Sequence, residues 1–380
     1  MFLIKKFFSL LMCSVLLFSL LTIRTTAVSL GISASSAVVM VAQTGEVLYE
    51  KNAHTRRSMA STTKIMTSLI ALERADLKSE IIVNSNELNV EGTSMGLLPD
   101  DKVTFEALVY GMLLQSGNDA ANVTAVKLGG SRAKFVSLMN IRAKELGMKN
   151  TNFVTPSGLD AKEHYSTAYD MALLGSAAIL NPDFRYICSQ KQAVVYYGNP
   201  PYRRTLTNHN KLLGYYNGCI GLKTGFTKKS GRCLVSAAER NGIILVAVTL
   251  NAPDDWNDHK KLLDYGFSQV ENSIVEVVDV PQKIQVVGGK KNNVSVKLAE
   301  PFSVISSEKT GGISSCVLLD SFLYAPVRKG EKVGKVVYFL GDRKVGESII
   351  TAEESVPKAT IEKKKDFFQK IIDFIKGIFK

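Results

Sequence analysis

Histidine and cysteine are scarce in this chain, which has 4 histidines and 5 cysteines among 380 residues. The histidines lie far apart in the sequence, without the spacing of metal ligands, at His54, His164, His209 and His259. No two cysteines form a C-x-x-C motif. The sequence therefore implies neither a metal centre nor a redox dithiol.

The chain also lacks a glycine-rich phosphate loop and any basic run interleaved with aromatic residues. Acidic side chains are outnumbered, with 35 Asp and Glu against 47 Lys and Arg, which gives a formal net charge of +12. This excess indicates an anionic partner, either nucleic acid, an acidic membrane or an acidic polymer. Nucleic acid is the least favoured of the three because the body of the chain has no nucleic-acid-binding motif. No cofactor is predicted.

The first residues have the pattern of an export signal. Lys5 and Lys6 precede an apolar run at 7–21, and Thr25-Thr26-Ala27 offers small residues for cleavage. A retained membrane helix is the rival interpretation, but the apolar run is short for crossing a bilayer. We therefore predict a signal peptide at residues 1–27 and a mature protein outside the cytoplasm.

Four cysteines follow that segment, at Cys188, Cys219, Cys233 and Cys316. A chain of this length does not need disulfides to fold, so most of them are predicted to be small buried apolar residues. Whether Cys219 and Cys233 pair stays open at this point.

The middle of the chain predicts an α+β catalytic domain at residues 28–272. A strand-turn-strand pattern at 37–49 is followed by helical patterns up to about 181. Strands then return after 206, and Asn241-Gly242 between two apolar runs predicts a hairpin. The expected helices are 105–114, 120–128, 133–146, 168–180 and a closing helix at 258–267. The simplest packing joins the first and last strands in one antiparallel sheet covered by helices, with a helical subdomain.

The residue pattern of the chain changes near residue 275. Short valine-rich runs separated by Gly, Asn and Lys turns predict a small all-β domain at residues 273–356, without chemistry of its own. The runs are 275–280, 284–287, 294–298, 333–340 and 349–350. In the tail, residues 357–380, an apolar helical stripe alternates with lysines. We predict an amphipathic helix lying on an anionic membrane, with a helix docked on the protein's own surface as the alternative.

The segment at 59–67 contains Ser61 and Lys64, which have the spacing S-x-x-K. A serine hydroxyl needs a base within hydrogen-bond reach to act as a nucleophile. If a helix begins near Ser61, positions i and i+3 share one face and bring the lysine amine beside the hydroxyl. A serine-capped helix start with an ordinary lysine is the alternative.

Two later segments complete the pattern. Ser116 and Asn118 lie on a loop between predicted helices, where either residue could also be a plain helix cap. Lys223-Thr224-Gly225 lies on a strand just before the hairpin. Each segment alone means little, but the order S-x-x-K, S-x-N, K-T-G is specific.

With these motifs the chain resembles the D-alanyl-D-alanine carboxypeptidases of the low-molecular-weight penicillin-binding proteins, peptidase family S11. The segments 44–49, 164–168 and 325–330 are also typical of that family. The resemblance covers essentially the whole mature chain and implies a β-lactamase/transpeptidase-like fold. It also implies peptidoglycan stem peptides as substrate and acylation by β-lactam antibiotics.

The resemblance implies roles for the motif residues. Ser61 would attack the carbonyl between the last two D-alanines, a neutral Lys64 would take its proton, and Ser116 would relay a proton to the leaving amine. Asn118 would hold the amide backbone of the substrate, and Lys223 and Thr224 its terminal carboxylate. Gly225 would leave room for the substrate, and the backbone N–H groups of Ser61 and Phe226 would form the oxyanion hole.

Three alternatives remain at the level of sequence. The same fold could act as an endopeptidase or a β-lactamase, or could serve as an inactive cell-wall scaffold. The chain lacks the E-x-x-L-N segment with which class A β-lactamases activate water, so we expect a long-lived penicillin adduct. Ser157 stands where relatives often carry histidine, and His209 precedes Lys223. No role is assigned to either.

Overall fold

The structure is a computed structural model that describes residues 29–275, 280–307, 313–340, 342–360, 371 and 372. The predicted signal peptide, most of the predicted tail helix and most of the predicted strand at 275–280 lie outside the described residues. No helix within the described ranges has the length and apolarity needed to cross a bilayer.

A five-stranded antiparallel sheet forms the centre of the catalytic part, in the order β2-β1-β9-β8-β7. Its strands are β1 (Ser36–Val41), β2 (Val47–Lys51), β7 (Cys219–Thr227), β8 (Gly231–Arg240) and β9 (Ile243–Leu250). Every residue of β1 and β9 is buried, which is why both strands are nearly continuous apolar runs. Their pairing, from Ser36 opposite Leu250 to Val41 opposite Leu245, confirms that the first and last strands share one sheet.

Helices cover both faces of this sheet. They are α1 (Lys64–Arg74), α2 (Phe105–Leu113), α3 (Asn118–Gly129), α4 (Arg132–Glu145), α5 (Ala168–Leu180), α6 (Pro182–Cys188), α7 (Leu212–Tyr215) and α8 (Asp255–Gln269). Side chains of Thr104, Ser131 and Thr167 cap α2, α4 and α5 by accepting a backbone N–H three residues on. The helical subdomain and the closing helix are therefore present as predicted.

A second small sheet corrects the prediction that strands return only after residue 206. It has the order β3-β4-β5-β6, and its strands are β3 (Glu80–Ile82), β4 (Lys102–Thr104), β5 (Gln192–Gly198) and β6 (Pro201–Thr207). β6 is mostly exposed and carries two arginines, and β3 and β4 have only three residues each. None of these three strands therefore presents an apolar run long enough to indicate a strand. Burial, the signal on which the prediction depended, is weak in these strands.

The C-terminal part is all-β, as predicted. A six-stranded sheet has the order β14-β16-β17-β12-β11-β15, and a two-stranded sheet pairs β10 with β13. The strands are β10 (Glu271–Ile274), β11 (Lys283–Val287), β12 (Asn293–Leu298), β13 (Ser303–Ser306), β14 (Ile313–Leu319), β15 (Phe322–Tyr324), β16 (Lys332–Leu340) and β17 (Arg343–Ala352). This part has its own apolar core, centred on residues such as Val294, Val336 and Ile350.

Candidate active site

The turn that carries Ser61 is tighter than an α-helix. Ala60–Thr63 forms a 3₁₀ turn, and the α-helix begins at Lys64. Side chains at i and i+3 eclipse one another in a 3₁₀ turn, which brings the Lys64 amine to 2.9 Å from the Ser61 hydroxyl. Ala60 has a φ of 49°, a strained conformation for a residue with a side chain, directly before the serine.

Lys64 is buried and touches three oxygens. Its Nζ lies 2.9 Å from Ser61 Oγ, 2.6 Å from Asn118 Oδ1 and 2.7 Å from the carbonyl oxygen of Ser157. The last two oxygens can only accept a hydrogen bond. A neutral amine has two hydrogens and one lone pair, so these acceptors take both hydrogens and leave the lone pair directed at the serine hydroxyl.

The environment of Lys64 favours that neutral form. The pKa of its amine is held well below the usual value, first by burial and then by the positive charge of Lys223, while Asp119 acts in the opposite direction. Burial also lowers the pKa of Lys223 to about 7. The ammonium of Lys223 donates to the carbonyl of Thr224 at 2.9 Å. Lys223 is therefore close to losing its proton at neutral pH, and the surroundings of Lys64 likewise disfavour its charged form.

Five of the predicted site residues meet at one open cleft of about 380 Å³, while Lys64, Asn118 and Lys223 are buried and are not among its lining residues. Ser61, Ser116, Thr224, Gly225 and Phe226 line it, from the 3₁₀ turn Ala60–Thr63, the segment before α3 and strand β7. We call Ala60–Thr63 the nucleophile turn, after the role predicted for Ser61. Ser116 has a φ of 61° and is almost completely buried. β7 is an edge strand of the five-stranded sheet as described, so a peptide could pair with its free edge.

Asn118 lies behind this cleft. Its Oδ1 accepts from Lys64, and its Nδ2 donates to the carbonyl of Glu91 at 2.6 Å. The second bond fixes which end of the amide is oxygen, because a carbonyl partner requires the nitrogen. The structure gives Asn118 a role in orienting Lys64. Its contact with the amide backbone of the substrate stays a prediction.

Gly225 also packs against the turn that carries Ser61, a contact that the sequence did not predict, and the room it would leave for the substrate stays a prediction. A Cβ on this residue would lie 3.0 Å from Ser61 N and 3.1 Å from Met59 O. Its bare face thus packs against the nucleophile turn and allows β7 to run alongside it. Gly225 directly precedes Phe226, and the oxyanion hole formed by the backbone of Ser61 and Phe226 stays a prediction.

Asp119 organises a loop that the sequence did not single out. Its carboxylate accepts from the backbone N–H groups of Met95, Gly96 and Leu97 at 2.9–3.1 Å. The same loop contributes Thr93 to the cleft, and the Thr93 carbonyl accepts from Asn118 N at 2.7 Å. The only sign of this loop contact in the sequence is that an acidic residue, Asp119, directly follows the S-x-N motif.

The rest of the cleft lining includes two basic side chains, Lys211 and Arg232. It is formed by Thr93, His209, Lys211, Arg232, Asp255 and Trp256. Arg232 is paired with Asp255 at 2.8 Å and lies over the Trp256 ring. Burial and Lys223 lower the pKa of His209, which places this histidine beside the site without fixing a role.

Neither a metal site nor a disulfide is formed by the described residues. They contain no cluster of three potential metal ligands from His, Cys, Asp and Glu. Cys188, Cys219, Cys233 and Cys316 are all free thiols, so Cys219 and Cys233 do not pair. Cys188 and Cys233 are buried, as predicted for small apolar residues, whereas Cys316 is exposed.

Comparison with known proteins agrees with these motifs. Residues 23–254 match the profile of the peptidase S11 family, described as D-alanyl-D-alanine carboxypeptidase. Residues 271–358 match the profile described as penicillin-binding protein 5, C-terminal domain. D-alanyl-D-alanine carboxypeptidase DacF of Bacillus subtilis is 32% identical over 86% of this chain and 86% of its own length. DacC of Escherichia coli is 32% identical over 90% of this chain and 88% of its own length.

Solved structures are similar as well. The D-alanyl-D-alanine carboxypeptidase DacD of Francisella tularensis superposes with a TM-score of 0.62 at 28% identity, covering 89% of this chain and 96% of that one. Penicillin-binding protein 5 of Haemophilus influenzae gives a TM-score of 0.62 at 29% identity, covering 86% and 98%. A Streptomyces K15 DD-transpeptidase, solved as a serine-to-alanine mutant, gives a TM-score of 0.59 at 33% identity. The match covers 62% of this chain and 98% of the transpeptidase.

Proposed function

This chain belongs to the peptidase S11 family of D-alanyl-D-alanine carboxypeptidases, and we propose that it removes the terminal D-alanine of peptidoglycan pentapeptides through an acyl-enzyme on Ser61. The observation that carries the proposal is the hydrogen-bonding of Lys64. Its two hydrogens have acceptors in Asn118 and Ser157, and its lone pair faces the nucleophile.

The reaction begins when Lys64 takes the proton of Ser61 as Oγ attacks the carbonyl between the two D-alanines. Backbone N–H groups of Ser61 and Phe226 stabilise the tetrahedral oxyanion, an effect of about 3 kcal/mol per donor in other serine enzymes. Ser116, which lines the same cleft, relays the proton from Lys64 to the departing amine, so that Lys64 is neutral again and Ser116 keeps its hydroxyl. Free D-alanine leaves, and water then hydrolyses the ester on Ser61 and regenerates the hydroxyl.

Recognition of the peptide end depends on Lys223 and Thr224. A D-Ala-D-Ala terminus always carries a carboxylate, and Lys223 with Thr224 supplies a cation and a hydroxyl for it. Because burial lowers the pKa of Lys223 to about 7, a bound carboxylate favours the protonated form and takes up a proton. β-Lactams present a comparable carboxylate and a strained amide, so they acylate Ser61 without releasing a leaving group.

Intact-mass analysis after penicillin treatment tests the nucleophile. We expect one stoichiometric adduct on the Ser61 peptide of the wild type and none on Ser61→Ala. Ser58→Ala serves as a matched control because Ser58 precedes the same turn. An adduct at another residue contradicts Ser61 as the nucleophile, and the absence of any adduct on a folded wild type leaves an inactive scaffold.

The preferred substrate is tested separately. Release of D-alanine from a pentapeptide should be fast, and cleavage of a cross-linked dimer slow. Faster cleavage of the dimer would identify an endopeptidase, and rapid turnover of penicillin would identify a β-lactamase.

The location of the enzyme is a further part of the proposal. Residues 1–27 have the pattern of an export signal, and the basic amphipathic pattern of 363–380 suits an anionic membrane surface. We expect the chain from residue 29 to sediment with phosphatidylglycerol vesicles at low salt, and a chain ending at residue 360 to stay in the supernatant. Equal sedimentation of the two chains would exclude anchoring by the tail.

A further inference from the structure

The buried imidazole of His164 joins the nucleophile turn to a neighbouring loop. Its Nδ1 accepts a hydrogen bond from Val154 N at 2.9 Å, and its Nε2 lies 3.0 Å from Thr63 Oγ1. Because Nδ1 is an acceptor, the proton of the neutral ring must be on Nε2, which therefore donates to Thr63. Thr63 lies between the nucleophile and the base, Ser61 and Lys64.

The loop held by His164 is the one that supplies a carbonyl to the base. Three residues after Val154, the carbonyl of Ser157 accepts from Lys64 at 2.7 Å. The carbonyl of Pro156, directly before Ser157, accepts from the Thr67 hydroxyl at 2.6 Å. The loop is thus attached to the same helix at successive points.

The loop also lies in direct contact with the nucleophile turn. Gly158 has a φ of 87°, and a Cβ at this position would lie 2.0 Å from the carbonyl oxygen of Ala60. At the other end, Asn140 exchanges two hydrogen bonds with the backbone of Phe153. A displacement of the loop at Val154 would therefore be transmitted to Ser157 within a closely packed segment.

We propose that His164 is a positioning residue for the proton acceptor of this enzyme. By tying Val154 to Thr63, the imidazole keeps the Ser157 carbonyl on Lys64. With one hydrogen of the amine thus occupied and the other on Asn118, the lone pair stays directed at Ser61. The inference rests on the proposed function, in which Lys64 is the base.

The surroundings keep His164 neutral. Burial lowers its pKa to about 4, Lys229 acts in the same direction and Asp160 opposes it. A protonated ring would carry hydrogen on both nitrogens and could not accept from Val154. The geometry therefore requires the neutral form.

His259 supplies a matched control within the same chain. It is also buried, and its two nitrogens lie 2.5 Å from Ser236 Oγ and 2.9 Å from Thr249 Oγ1. Its partners belong to β8 and β9, and they are not among the described residues that line the cleft. If activity is lost only because packing is weakened, replacing either histidine should cause the loss. If His164 positions the base, only its replacement should do so.

The experiment compares the rate of Ser61 acylation by a fluorescent penicillin in His164→Phe, His164→Asn, His164→Gln and His259→Phe. His164→Phe removes both hydrogen bonds. Asparagine can return an acceptor near the place of Nδ1, and glutamine a donor near the place of Nε2. We expect the acylation rate to fall about 100-fold in His164→Phe, which is the effect of displacing a reacting group by about 1 Å. In His164→Asn and His164→Gln, which each restore one of the two hydrogen bonds, the rate should fall about tenfold. His259→Phe should acylate within threefold of the wild type after correction for the folded fraction.

A binding measurement separates positioning from collapse of the cleft. The sequence has one tryptophan, and Trp256 lines the cleft, so its fluorescence reports ligand binding. In a Ser61→Ala background, His164→Phe should bind a D-Ala-D-Ala peptide within threefold of the parent. Equal acylation of His164→Phe and wild type, or equal losses in His164→Phe and His259→Phe, would overturn the inference.

Two further outcomes are distinguished. If no His164 variant folds, Thr63→Val removes the Thr63 hydroxyl to which His164 Nε2 donates. The proposal then requires that Thr63→Val be acylated at least ten times more slowly than the wild type. If the wild type itself is not acylated on Ser61, the proposed function fails rather than this inference.

Discussion

At the scale of single residues, the site keeps two amines in surroundings that oppose their charge. Lys64 and Lys223 are buried, and burial is the first cause of both lowered pKa values. In the unfolded chain each lysine would hold its proton up to about pH 10.4. Between that pH and the folded pKa the unfolded chain binds more protons, so the free energy of unfolding falls as the pH is lowered.

Lys223→Met should therefore stabilise the protein while damaging the site. The expected gain in the free energy of unfolding is about 3 kcal/mol at pH 6, since a shift from 10.5 to about 7 is partly offset by the lost bond to Thr224. The gain should grow from pH 10 down to pH 7 and then level off. Urea unfolding over this pH range measures it.

Lys211→Met is the control for that measurement. Lys211 lines the same cleft but is exposed, so its replacement should change the free energy of unfolding by less than about 0.5 kcal/mol at any pH. A destabilised Lys223→Met at pH 6 would mean that the buried amine is better accommodated than its surroundings indicate.

The titration of Lys223 also predicts how hydrolysis depends on pH. Because its pKa is about 7, the cation proposed to attract the substrate carboxylate is lost above neutral pH. We expect kcat/KM for an acyl-D-Ala-D-Ala peptide to decline above pH 7, mainly through a rise in KM. The corresponding terminal amide should be a poor substrate without that decline. The same decline for both substrates would assign it to another group.

The motif side chains were accessible from the sequence, whereas their backbone partners were not. Ser61, Lys64 and Lys223 have residue types and spacings that indicate their chemistry. The acceptors that set the direction of Lys64 include the carbonyl of Ser157, and a carbonyl is the same in every residue. Its position depends on how the loop folds, through bonds from side chains such as His164 and Thr67.

At the scale of elements, the approach of the 153–159 loop to the nucleophile turn depends on Gly158. Its φ of 87° is one that side chains rarely adopt, and the space for a Cβ is occupied by the backbone at Ala60. The obstructing atom cannot rotate away, because it belongs to the main chain of the nucleophile turn. Strain and steric conflict therefore act together at this residue.

Gly158→Ala should lower the free energy of unfolding by about 3 kcal/mol or more and slow acylation of the folded fraction at least tenfold. Gly130→Ala isolates the strain, since Gly130 has a φ of 73° with nothing within 4 Å of a Cβ. This control should lose only about 1 kcal/mol and keep its acylation rate. Thermal unfolding and penicillin labelling measure both effects, and similar behaviour of the two variants would show that the contact with Ala60 is unimportant.

The elements that the sequence predicted well are those with a local signature. The hairpin of β8 and β9 follows from Asn241-Gly242, whose φ values of 51° and 77° are those of a type I′ turn. The β5–β6 hairpin has no such signature, because it turns through Asn199 and Pro200 and its outer strand is polar. The 3₁₀ geometry at Ala60–Thr63 also escaped prediction, since it depends on tertiary contacts around the turn.

At the scale of the whole molecule, the catalytic part and the β part have separate cores. Val270 belongs to the core beneath α8, and Val294 to that of the six-stranded sheet. Contacts between the parts include Ile305, which packs on the catalytic core, and a bond from Ser307 to the Glu46 carboxylate. Within the described chain, the cleft is lined by residues between 61 and 256 and draws no side chain from the β part.

A chain that spans residues 29–270 should therefore fold and be acylated by penicillin within twofold of the full-length rate. Its free energy of unfolding should fall by about 1–2 kcal/mol, because removal of Ile305 exposes part of the apolar core beneath α8. Stopped-flow labelling and urea unfolding compare the two chains, and Ser61→Ala in the short chain checks that labelling occurs at the same serine. If a folded short chain were acylated ten times more slowly, the β part would have to help position the cleft, through contacts such as those at Ile305 and Glu46. In that case Glu46→Gln in the full-length chain should reproduce part of the loss, since this carboxylate is a polar link between the two parts.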